Sequence, residues 1–133
     1  MNIALEHVGL PAADTVALKI GMNACWARAP FWDSGENPAA YLIALPGGGW
    51  LEIYAAKASL PARDNNQLAG FRHLALRVDS IATAKAELIK RGVVFTKEPD
   101  RAAGGGTVQY FADLEGNLLH LVERAADSQL GKK

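Results

Sequence analysis

Cysteine, net charge and long apolar runs are what this sequence lacks. Cys25 is the only cysteine among 133 residues. That excludes an internal disulfide and suits a reducing, cytoplasmic compartment; an inert thiol is the expected state of Cys25. Fourteen Lys and Arg balance fourteen Asp and Glu. Without a basic excess, neither nucleic acid nor an anionic membrane surface is expected as the main partner. No apolar run approaches the ~20 residues of a membrane-spanning helix. The start, "MNIALEHVGL", has neither a basic stretch nor a cleavable apolar segment, so no signal peptide is expected. One domain with a sizeable core fits this length.

What is present is a repeat. "EHVGLPAADTVALKI" (6–20) lies over "RHLALRVDSIATAKA" (72–86), with His7 on His73, Leu10 on Leu76 and Lys19 on Lys85. "AYLIALPGGGWLEIY" (40–54) lies over "VQYFADLEGNLLHLV" (108–122), with Gly48 on Gly116, Leu51 on Leu119 and Glu52 on His120. The offsets, 66 and 68 residues, differ by one short loop insertion. Two apolar strands resemble each other by chance, but not twice at nearly one offset and in one order.

Each half reads as βαβββ, an α+β class chain. Module one covers 1–56, a polar connector 57–69, module two 70–124, and a polar tail 125–133. Strands are expected near 2–10, 26–31, 39–46 and 49–55, with a helix near 14–21. In the second half they are expected near 70–78, 93–97, 106–113 and 117–124, with a helix near 80–91. That helix has Asp79 or Ser80 as cap, Ile81, Ala84 and Leu88 as stripe and Gly92 as stop. The tail is expected to be mobile.

All three histidines, His7, His73 and His120, fall inside expected strands. A lone histidine there is ordinarily a hydrogen-bonded core group. Here His7 and His73 are repeat mates, and His120 is the mate of Glu52. Four polar exceptions at two equivalent positions are satisfied together by one shared metal ion. Three nitrogens and a carboxylate suit Zn, Ni, Co, Fe(II) or Mn, whereas Ca and Mg prefer oxygen. Strand alternation sends Glu123 to the opposite face from His120, away from such a site. Trp50, Tyr54, Phe71 and Arg77 share the ligand faces and are the candidate substrate-binding residues, Arg77 for an acidic group. Trp26, Phe31 and Trp32 read as packing, and "AAGGGTVQY" (102–110) as a connecting loop rather than a phosphate loop, since no lysine and no helix follow it.

"EHVGL", "LEIY", "RHLALRVD" and "DLEGNLLHLVER" resemble motifs of the glyoxalase / bleomycin-resistance / extradiol-dioxygenase superfamily, the vicinal oxygen chelate proteins, over about residues 3 to 124. The resemblance implies two βαβββ modules forming a curved mixed sheet around a metal. It implies ligands at His7, Glu52, His73 and His120, a small-molecule substrate held through neighbouring oxygens, and a homodimer. The ligand order is most similar to bacterial glyoxalase I (lactoylglutathione lyase), which carries Glu where this chain has His120. Implied activities are a metal-dependent lyase or isomerase with Glu52 or His120 moving the substrate proton, a non-haem Fe(II) dioxygenase, or a non-catalytic binding or resistance protein.

Overall fold

The computed structural model describes residues 1, 3–26, 30–58, 65–128 and 130; parts of the expected 26–31 strand, the connector and the tail lie outside these. The chain divides into two compact units, residues 1–61 and 62–133. The first contains β1 (His7–Ala12), α1 (Thr15–Cys25), β2 (Pro30–Asp33), β3 (Tyr41–Ala44) and β4 (Trp50–Ala55). The second contains β5 (His73–Arg77), α2 (Ile81–Lys90), β6 (Asp100–Arg101), β7 (Thr107–Ala112) and β8 (Leu118–Glu123). The α+β class and the repeated βαβββ order are thus those expected.

The two sheets have one topology. Sheet order is β1-β4-β3-β2 in the first unit and β5-β8-β7-β6 in the second. In each, the first strand pairs in parallel with the last, which is also hairpin-paired to the strand before it. The crossover that returns the chain for parallel pairing carries the helix. In the first unit, Ala12, Leu18, Met22, Tyr41, Ile43, Leu51 and Ile53 are buried together. Leu18 and Met22 stand four apart on one helix face, and Leu51 and Ile53 alternate on one face of β4. Asp14 Oδ1 caps α1 by accepting from Ala17 N at 2.9 Å. In the second unit Ser80, rather than Asp79, caps α2, its Oγ accepting from Thr83 N at 3.3 Å. Glu123 Oε2 accepts from Ile81 N at 2.7 Å. Glu123 therefore faces the helix layer, as strand parity requires, and places a carboxylate at the positive end of α2.

Four elements differ from expectation. The second strand lies at Pro30–Asp33 rather than near 26–31, since Trp26 still caps the preceding helix. The first strand pairs only from His7, because its partner β4 begins at Trp50, directly after the glycine turn 47–49. Helix α1 runs on to Cys25 instead of stopping near 21. No strand forms at 93–97. There the Lys97 carbonyl accepts from the buried Gln109 side-chain Nε2 at 2.8 Å, and the ladder is confined to Asp100–Arg101 opposite 107–108.

The tail, expected to be mobile, is tied down as far as it is described. Ser128 is buried, and its Oγ donates to Gly104 O at 2.7 Å. Arg124 Nη1 donates to the carbonyls of Ala103 and Gly105. The glycine loop is thus a braced hairpin turn. At Gly106, φ is +104° and an added Cβ would lie 2.1 Å from the Glu123 carbonyl oxygen, so only glycine fits. The turn before β8 is built on Asp113. Its Oδ1 accepts from Glu115 N and Asn117 N, both at 2.9 Å, and its Oδ2 from Asn117 Nδ2 at 2.9 Å. Burial raises the Asp113 carboxyl above its usual value while these bonds pull it down.

Replacing Gly106 by alanine is expected to lower stability by ~2 kcal/mol or more, from backbone clash plus the left-handed φ. Urea unfolding checks it; a change under ~0.5 kcal/mol would contradict the close approach.

Candidate functional site

Parallel pairing decides which side chains meet. In the first unit His7 lies beside Trp50 and Gly9 beside Glu52. In the second His73 lies beside Leu118 and Ala75 beside His120. The registers are equivalent: in each module the first-strand histidine is diagonal to the last-strand ligand candidate, on the same sheet face. The predicted set is therefore brought together as two pairs, one in each unit.

In the first pair, His7 Nε2 is 3.6 Å from Glu52 Oε2. Neighbouring ligands on one ion, with bonds of ~2.1 Å, stand roughly 3.0–3.5 Å apart, so the spacing suits a shared cation. On its other side, His7 Nδ1 is hydrogen-bonded to the Glu6 carboxylate. The imidazole is held above its ordinary pKa, mainly by the Glu6 hydrogen bond, opposed by burial and helped by the charges of Glu6 and Glu52. Tyr54 lies over Gly9. A Cβ at Gly9 would be 3.3 Å from the Tyr54 ring and 3.9 Å from Glu52 Oε2, so the missing side chain makes room for both groups. Trp50 packs on Phe31, ring centroids 4.8 Å apart, and Phe31 and Trp32 are otherwise largely exposed.

In the second pair, the His73 and His120 rings stack, 3.9 Å between centroids and 13° between planes. The Tyr110 ring meets His120 edge-on at 4.2 Å. His73 Nδ1 is 2.8 Å from Asn66 Oδ1. His120 is only 6% exposed, and its buried Nε2 has no hydrogen-bond partner among the described residues. Burial, and secondly the neighbouring His73, push the His120 pKa down to about 4. At neutral pH the ring is uncharged, with a buried nitrogen left unsatisfied. Such an atom costs about 1–3 kcal/mol unless something binds it.

Of the other candidates, Trp50 and Tyr54 share the sheet face of His7 and Glu52. Arg77 is on the His73 face of β5, but its Nη1 donates to the Leu130 carbonyl at 3.4 Å. Phe71 precedes β5 and is wholly exposed. Sequence reasoning passed over Glu6, Asn66 and Tyr110. Tyr110 was within reach, since hairpin pairing sets it opposite His120. Glu6 was hidden because strand alternation assigns it to the other face, yet it precedes the strand. Asn66 lies in an aperiodic connector and gave no signal. Among the described residues no group of three or more His, Cys, Asp or Glu side chains gathers where it could hold a metal ion. The donors suited to a divalent ion are His7 Nε2, Glu52, His73 Nε2 and His120 Nε2.

Residues 6–121 match the Glyoxalase/Bleomycin resistance protein/Dioxygenase superfamily. The chain belongs to that superfamily. Comparison with curated proteins finds no match. Among solved structures, the chain is similar to a variant of the fosfomycin resistance protein FosX from Listeria monocytogenes, complexed with Mn(II) and dihydroxypropylphosphonic acid. Identity is 20%, the TM-score 0.71, and 98% of each chain is covered. A superfamily domain from Frankia sp. EAN1pec gives 18% identity and TM-score 0.70, covering 94% of this chain and 100% of that one. A member from Sphaerobacter thermophilus gives 22% identity and TM-score 0.67, covering 92% and 98%. At these identities the likeness is one of fold. No helix among the described residues is long and apolar enough to cross a membrane.

His120 sets a pH dependence. Its folded-state pKa, about 4, lies below the ordinary 6.5. Its stabilising contribution is therefore complete above pH ~6.5 and is lost as pH falls toward ~4, about 3 kcal/mol in all. Urea unfolding of metal-free protein at several pH values is expected to show this loss. His120→Leu removes both the titration and the orphaned nitrogen, so the variant is expected to be more stable by ~1 kcal/mol at neutral pH and to lack this part of the slope. Equal slopes in the two proteins would refute the assignment.

Proposed function

We propose that this superfamily member is a metal-dependent lyase or isomerase of glyoxalase type. Its substrate would be a small molecule that presents two vicinal oxygens. The observation that carries the reading is the buried Nε2 of His120 beside His73, without a hydrogen-bond partner among the described residues. A polar atom left unsatisfied at that cost is explained if it binds an ion. The equivalent position in the other module holds Glu52, 3.6 Å from His7 Nε2. His7, Glu52, His73 and His120 would hold the ion. Their borderline donor set favours Ni, Zn, Co, Fe(II) or Mn, and the FosX relative binds Mn(II). When bound, a divalent ion polarises the substrate oxygens and stabilises the negative charge that develops next to them.

The chain's own residues do the rest. Glu52 takes the proton from the carbon next to the chelated oxygens, as its second carboxylate oxygen is not the one facing His7. His120 is the weaker base, because its pKa of about 4 favours lone-pair donation over proton uptake at neutral pH. Trp50 and Tyr54, on the face of Glu52, bind the substrate's apolar parts. Arg77 and Phe71 complete the substrate-binding set. A homodimer in the cytoplasm completes the reading.

The expected outcome is about one divalent ion per chain, weakened at least ~10-fold by His120→Leu or His7→Ala. Glu52→Gln is expected to lower kcat on a hemithioacetal substrate at least ~100-fold. Metal analysis, calorimetry and steady-state kinetics check these outcomes. Full turnover by Glu52→Gln removes its role as base. Oxygen consumption with Fe(II) instead of isomerisation would assign the dioxygenase chemistry. Small-molecule binding unchanged by His7→Ala in metal-free protein would assign a binding protein.

A further inference from the structure

The two first-strand histidines are held in the same way by residues of unrelated origin. His7 Nδ1 is hydrogen-bonded to the carboxylate of Glu6, which directly precedes β1. His73 Nδ1 is hydrogen-bonded at 2.8 Å to the side-chain oxygen of Asn66, seven residues upstream in the connector. A carboxylate and an amide oxygen only accept, so in each pair the imidazole Nδ1 donates. A neutral imidazole that carries its hydrogen on Nδ1 has its lone pair on Nε2. In His7 that same Nε2 is the atom facing Glu52. The repeat does not account for the coincidence, because Glu6 and Asn66 are not equivalent positions: the residue aligned with Glu6 is Arg72.

We infer that Glu6 and Asn66 are positioning residues for metal binding, each locking its histidine in the tautomer and ring orientation that presents Nε2 as donor. The inference rests on the metal reading above. An imidazole ligand must offer an unprotonated nitrogen, and an acceptor on the far nitrogen selects it, orients the ring and raises its basicity. Ordinary surface hydrogen bonds at the same places would leave metal affinity unchanged.

The test is metal affinity, read by titration with Mn(II) and Ni(II), together with imidazole 15N shifts of the metal-free protein at a pH where both rings are neutral. Glu6→Ala and Asn66→Ala are each expected to weaken binding roughly 10- to 100-fold. Glu6→Gln and Asn66→Asp, which keep an acceptor, should stay within ~3-fold of the parent protein. In the metal-free parent the 15N shifts should show Nδ1 protonated and Nε2 bare in His7 and His73, and the alanine variants should shift toward the other tautomer. Alanine variants that bind metal as tightly as the parent overturn the inference while leaving the metal reading intact. If the parent binds neither ion, the metal reading fails, and the role of Glu6 and Asn66 in metal binding falls with it. A parent protein with Nε2 protonated in either ring overturns the inference for that ring whether or not metal binds.

Discussion

The parallel pairing of the first and last strands of each module is the interaction on which the rest depends. It joins residues more than forty apart in sequence, such as His7 and Trp50 or His73 and Leu118. It can form only because a helix carries the chain back across the sheet. Once formed, it fixes which side chains are diagonal neighbours. His7 then meets Glu52, and His73 meets His120. A slip of one residue would send one partner of each pair to the helix face. Leu51 and Ile53, both buried in the first core, resist such a slip, as do Leu119 and Leu121 in the second unit, where both are buried.

The two modules use that shared frame for different chemistry. In the first the pair is a partly exposed imidazole and a carboxylate, flanked by a second carboxylate. In the second it is two stacked imidazoles, one of them buried and electrically neutral. The desolvated His120 ring, stacked on the exposed His73, tolerates little added charge. The glutamate found at this position in glyoxalase I would be a costly neighbour under those conditions unless an ion or a proton offset it. The departure at His120 is thus consistent with its surroundings: the ring stacks on His73 and meets the edge of Tyr110.

Much of the architecture was legible because the chain states it twice. The repeat identified both βαβββ modules and the equivalence of Glu52 with His120. Alternation correctly turned Glu123 to the helix layer, where it meets the first turn of α2. The misreadings arose where local pattern and tertiary partner disagree. "VVFTK" reads as a strand, yet its neighbour on the sheet side is the Gln109 side chain rather than a backbone ladder. The tail reads as polar and loose, yet its Ser128 donates to the Gly104 carbonyl of the glycine loop.

What the sequence by itself determined was periodic: element order, strand faces, the repeat, and hence the candidate donors. These follow from local propensity and from side-chain alternation, which depend on near neighbours only. Tertiary structure alone decided the state of those donors. The buried nitrogen of His120, its depressed pKa, and the holding of His7 by Glu6 and His73 by Asn66 depend on distances and desolvation. Those quantities are set by atoms that meet only after the chain has folded.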